Sequence, residues 1–111
     1  MNAVRQGTTP TCIVTVKGYD LTDKTCFVTL QDCNNKTVTK TGDSLTVTYD
    51  GADSLIAFRL SQEETFDLAI GKVSLQVRFI GSDAVAFATD IAIVTNTKVL
   101  LNQVIKYNGG E

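Results

Sequence analysis

Residues 71–94, GKVSLQVRFIGSDAVAFATDIAIV, decide the fold. The first half alternates without interruption: Val73, Leu75, Val77 and Phe79 fall on one side, and Ser74, Gln76 and Arg78 on the other. Period two is the repeat of a strand. On a helix the same apolar residues would be spread around the whole circumference. Gly81, Ser82 and Asp83 make a short turn. Val85, Phe87, Thr89, Ile91 and Ile93 then continue the alternation on the way back. Residues 72–93 therefore read as one β-hairpin with two half-buried arms.

The same rhythm recurs toward the N-terminus. CIVTVKG (12–18) is a strand, and TCFVTLQD (25–32) sets Cys26, Val28 and Leu30 against Phe27 and Thr29. In KTVTKTGDSLTVTYDG (36–51), Val38 and then Leu45, Val47 and Tyr49 oppose Thr46 and Thr48. SLIAFRL (54–60) adds Ile56, Phe58 and Leu60. Threonine is the commonest residue and there is a single proline, a composition that suits pleated, half-buried surfaces. Turn-forming residues punctuate these runs at DCNNK, TGDS, DGAD and GSD. The expectation is an all-β protein: an Ig-like antiparallel β-sandwich of about seven to eight strands, forming one domain over residues 1–111.

One stretch breaks the pattern. FRLSQEETFDL (58–68) gathers Glu63, Glu64 and Asp67. Ser61 followed three residues later by Glu64 is a capping box, in which each side chain satisfies the other residue's backbone N–H. The spacing predicts one short helical turn near residues 61–66, with Ser61 and Glu64 as a structural cap rather than a catalytic pair. Asp20, Asp23, Asp50 and Asp53 are spaced like turn residues that fold back onto their own backbone.

The composition limits the chemistry available. The chain has no histidine, no Gly-rich phosphate loop and no calcium-loop pattern. Cys12, Cys26 and Cys33 are an odd set without a C-x-x-C pair, and read as free thiols. A net charge of −2 with scattered Lys and Arg gives no phosphate-binding stripe. The N-terminal MNAVRQGTTP has no apolar core of a signal peptide. Asn35-Lys36-Thr37 matches a glycosylation sequon but reads as a turn. No catalytic residue, metal or cofactor is expected, nor a nucleic-acid or membrane partner. The tail TKVLLNQVIKYNGGE (97–111) is apolar for a terminus. Val99, Leu100, Leu101, Val104 and Ile105 are candidate interface residues, on a short helix or an edge strand that packs at home or docks on a neighbour.

The stretches VRQGTTPTCIVTV (4–16), LSQEETFDLAIGKVSLQVRF (60–79), ATDIAIV (88–94) and KVLLNQVI (98–105) carry a family resemblance. Together they resemble small prophage-encoded proteins of Gram-positive bacteria that are similar to the N-terminal β-sandwich domain of phage upper baseplate proteins. The shared motifs are structural: an extended QGTTP start, an LSQEET turn after a strand, and an apolar closing segment. The resemblance implies a non-enzymatic component of a phage tail or baseplate. Its location would be the virion after synthesis in the bacterial cytoplasm, and its partners would be copies of itself, as a homo-oligomer, or other tail proteins. The alternative is a stand-alone Ig-like module that binds carbohydrate or protein. The lack of tryptophan weighs against a sugar-stacking site.

Overall fold

The computed structural model describes residues 3–100, 103–105 and 107. Among them, nine strands run in chain order. They are β1 (Ala3–Arg5), β2 (Thr11–Lys17), β3 (Thr25–Gln31), β4 (Thr37–Thr41), β5 (Thr46–Tyr49), β6 (Asp53–Arg59), β7 (Gly71–Ile80), β8 (Ala86–Ala88) and β9 (Ala92–Thr97). A 3-10 turn, Gly42–Ser44, joins β4 to β5, and the helix α1 (Gln62–Asp67) joins β6 to β7. The larger sheet has the order β1-β9-β7-β3-β4, with β8 beside the far end of β7; the smaller is β2-β6-β5. The protein is an all-β sandwich. Its strand count exceeds the seven to eight expected because β1 and β8 are three-residue strands.

Among the described residues all strand pairings are antiparallel except one. β1 lies parallel to β9, with Ala3, Val4 and Arg5 opposite Thr95, Asn96 and Thr97. Such a pairing has no local sequence signal, because its two strands come from opposite ends of the chain.

The core follows the alternation. Val73, Leu75, Val77 and Phe79 from β7 and Cys26, Val28 and Leu30 from β3 point inward and are buried. Ile56 and Phe58 from β6 and Cys12 and Val16 from β2 meet them from the smaller sheet. Leu21, Leu60 and Leu68 close the ends and have no exposed surface. Burying an aliphatic or aromatic side chain of this kind contributes about 1.5–3 kcal/mol, so the two inner faces hold the sheets together.

The returning arm of the 72–93 hairpin differs from its expected form. It is split into β8 and β9, and the two pair with β7 in registers one residue apart. Phe79 faces Phe87 at one end, whereas Leu75 faces Ala92 and Val73 faces Val94 at the other. The extra residue lies between Thr89 and Ile91 as a β-bulge. Thr89 secures it: its N–H donates to the Val77 carbonyl at 2.9 Å, and its Oγ1 accepts from the Val77 N–H at 3.1 Å. A one-residue shift turns every later side chain over. Ile91 and Ile93 are thereby exposed, while Val94 and Asn96 are buried. The expected common face of Val85, Phe87, Thr89, Ile91 and Ile93 does not form.

Candidate functional site

The acidic knot is a connector. Ser61 is the N-cap of α1: its Oγ accepts from the Glu64 N–H at 3.1 Å, and Glu64 Oε1 accepts from the Ser61 N–H at 2.8 Å. Glu64 also bridges to β4, where its Oε2 lies 2.7 Å from Lys40 Nζ. Burial works to raise the Glu64 pKa, but the Lys40 ammonium and the Ser61 amide outweigh it and hold the group below its ordinary value. Asp67 turns outward to Lys36 at 3.6 Å, and Glu63 is exposed. The three acids therefore have separate surroundings and do not converge.

Two buried polar residues that the sequence reading missed hold the same region in place. Asn96 on β9 donates from Nδ2 to the carbonyls of Leu68 (2.9 Å) and Thr65 (3.1 Å), fastening the end of α1 to the larger sheet. Asp32, after β3, accepts from three backbone amides. Oδ1 takes those of Asn34 at 2.8 Å and Lys36 at 2.9 Å, and Oδ2 takes that of Ala69 at 2.8 Å. The Ala69 bond leads the other two in lowering the Asp32 pKa against a smaller effect of burial. The only local hint of either role is a polar residue in or beside an apolar alternation.

Of the four turn aspartates, Asp20 and Asp50 fold back onto their own turns as expected, whereas Asp53 and Asp23 do not. Asp20 accepts from the Thr22 N–H and hydroxyl, Asp50 from the Ala52 and Asp53 amides, and Asp53 from the Gly18 amide. Asp23 instead faces Lys24 at 3.4 Å. Cys12, Cys26 and Cys33 are free thiols; the first two are buried and Cys33 is exposed in the turn after β3. Among the described residues no group of three or more Cys, Asp or Glu converges as a metal site. Nor is any helix there long and apolar enough to cross a membrane.

The tail forms neither the short helix nor the edge strand expected of it among its described residues. Gln62, in the first turn of α1, clamps it. The side-chain amide donates to the Ile105 carbonyl and accepts from the Ile105 N–H, both at 2.8 Å, as a neighbouring strand would. At Ile105 it is the backbone that is held. Leu100 is 96% exposed and Tyr107 93%; Val104 and Ile105 are also exposed, and Val99 is half-buried. Leu101 lies outside the described residues.

A second apolar surface runs along the side of the sandwich. The larger sheet extends past β2, and the gap between β2 and the β8–β9 junction is an open groove. Two adjoining hollows of about 290 and 430 Å³ share Val14, Thr15, Leu75 and Ala92 as lining. Ile13 and Ile93 border the first hollow and are about half exposed. Tyr19 stands at the far end, packed against Phe79 and Phe87 with ring centroids 5.2 and 5.7 Å apart.

No protein-family model matches the chain, and no curated protein is significantly similar to it.

Proposed function

We propose that this protein is a non-enzymatic assembly component of a phage or prophage tail or baseplate, in which the sandwich is a docking module. The observation that carries the reading is the tail: its backbone is fixed to α1 by Gln62 while Leu100, Val104, Ile105 and Tyr107 face outward. An apolar segment held in place with its side chains in solvent is prepared for a surface on another molecule. The resemblance of residues 4–16, 60–79, 88–94 and 98–105 to baseplate sandwich domains supplies the biological setting. On this reading the chain is made in the bacterial cytoplasm and ends in the virion, beside copies of itself or other tail proteins.

The test is to induce a strain that carries the gene, purify the released particles and look for the chain by mass spectrometry. Stoichiometric recovery with tail proteins is the expected result. Its absence from particles, together with a strictly monomeric purified protein, would transfer the reading to a stand-alone binding module.

A further inference from the structure

The smaller sheet ends on β2, and the hydrogen-bond pattern shows which groups of that strand are unused. The Leu60 N–H donates to the Pro10 carbonyl, and in an antiparallel ladder the bonded positions alternate. Cys12, Val14 and Val16 therefore bond across the β2–β6 pair, opposite Phe58, Ile56 and Ser54. The N–H and C=O groups of Thr11, Ile13, Thr15 and Lys17 point the other way, toward the groove. Among the described residues no backbone group outside the ladders pairs with Ile13 or Thr15. The groove is bounded at both ends. Residues 6–10 cross from β1 in the larger sheet to β2 in the smaller at one end, and Tyr19 packs on Phe79 and Phe87 at the other. Of the two hollows between them, the first is lined by Cys12 to Thr15 of β2 and the second by Val14 to Lys17. That is an offset of two residues, or about 7 Å. Side chains at i and i+2 of an added strand have the same spacing and point to the same face. The groove is the place of one more strand in the smaller sheet, above the part of the larger sheet that overhangs β2.

The same chain holds a strand pattern that has no ladder. In extended form Val99, Leu101, Ile105 and Tyr107 share one face of residues 98–107, interrupted only by Gln103. Lys98, Asn102 and Lys106 fall on the other face with Leu100 and Val104. Ile105 is 56% exposed and Tyr107 93%, and neither belongs to a strand. The charges are complementary. Both charged residues of the segment are lysines. The second hollow is lined by Lys17, which faces Asp53 across the β2–β6 pair, and by Asp90, which has no ion pair among the described residues.

We propose that the groove beside β2 receives the tail of a second copy as an added strand, with Ile105 and Tyr107 of the donor in the two hollows. This rests on the assembly role proposed above and deepens it by naming the surface on which the tail docks. A strand added to a sheet edge gains affinity from main-chain hydrogen bonds and specificity from pockets for alternate side chains. The tail of the same copy is fastened at Ile105 to α1, which leaves the groove to a neighbour. A single strand takes about 4.8 Å of sheet width. Residues 98–102 of the donor, about 17 Å when extended, lead out to its folded body, so the two bodies are not forced together. The donor's Ile105 leaves Gln62, exchanging two exposed hydrogen bonds for those of a ladder. Tail and groove are different surfaces, so the contact is heterologous: each copy gives a tail and receives one, and such contacts close as rings or continue as filaments.

The experiment combines sedimentation with amide hydrogen exchange on the full chain over a wide concentration range. The mass should rise from 12.0 kDa in whole multiples. The amides of Ile13 and Thr15, free to exchange when dilute, should become protected as it rises. A synthetic peptide of residues 98–108 should protect the same two amides and return the assembly to monomers. Tyr107→Asp changes a side chain that lies in solvent in the monomer. Thr15→Pro removes one groove-facing N–H at a position where an edge strand tolerates proline. Each should weaken association at least tenfold and leave the monomer's circular dichroism unchanged. Gln62→Ala frees the tail and should strengthen association severalfold. Association that survives either of the first two substitutions would overturn the proposal, as would weaker association of Gln62→Ala. So would protection of Ile13 and Thr15 that does not vary with concentration, which would make the chain's own tail the occupant. A monomer at every concentration, with groove amides that ignore the peptide, would overturn the contact between tail and groove alone, since recovery of the chain from particles tests the assembly role separately.

Discussion

At the scale of single residues, the side chains that matter most are those that occupy backbone groups the strands cannot. Ser61 takes one orphan amide of α1. Ser61→Ala should lower stability by about 0.5–2 kcal/mol, read as a shift in the urea midpoint at unchanged slope. An unchanged midpoint would show that the cap contributes nothing. Asp32 acts on three amides at once, and its consequence is a pH dependence. Its folded pKa lies below the ordinary 3.8, as do those of Asp20 and Asp50, and Glu64 lies below its ordinary 4.5. A carboxylate with a depressed folded pKa stabilises the fold fully above its unfolded value, and that stability is lost as pH falls through the folded one. Thermal stability should therefore be flat from neutrality down to about pH 5 and fall below it. Asp32→Asn should lower the neutral-pH midpoint and flatten the acid limb. An acid limb identical to that of the parent would show that Asp32 has no part in it.

Elements differ in how much of them the sequence declares. β7 is legible because ten consecutive residues keep one alternation. The cap of α1 is legible because both of its partners lie within four residues. The β8–β9 shift is not, since Ile91 and Ile93 continue an apolar alternation that the bulge at Thr89 has already inverted. Asn96 and Asp32 are equally silent, for the carbonyls and amides they serve lie up to 37 residues away. Thr89→Val tests the bulge. It leaves the Val77 amide without its acceptor, and should cost about 1 kcal/mol and speed hydrogen exchange at Val77. Exchange at the parent rate would assign the bulge to the backbone alone. The tail is testable as a unit too. Because Gln62 grips only the backbone of Ile105, deletion of residues 99–111 should lower the melting temperature only slightly. If the tail docks on a neighbour, the deletion should also abolish incorporation into particles. A large fall in melting temperature would show instead that the tail packs on its own domain.

Across the whole molecule the two sheets are unequal, six strands against three, and the surplus is what leaves β2 facing a groove. The parallel pair β1–β9 ties the two ends of the fold together. Thr97 Oγ1 reaches the Val4 carbonyl and Arg5 Nη1 reaches the Lys98 carbonyl, each across 93 residues of chain. That one contact has a meaning in time as well as in space. On the ribosome β1 emerges first and its partner last, so at ordinary elongation rates the earliest strand waits roughly 5–20 s for its ladder. Throughout that interval the nascent chain carries β1 without its partner, and the larger sheet cannot close until synthesis has passed Thr97. A topology dominated by such distant pairings folds in milliseconds to seconds. That range lies mostly below the time the ribosome takes to reach Thr97, so the pairing of β1 is timed by synthesis rather than by the search for its partner.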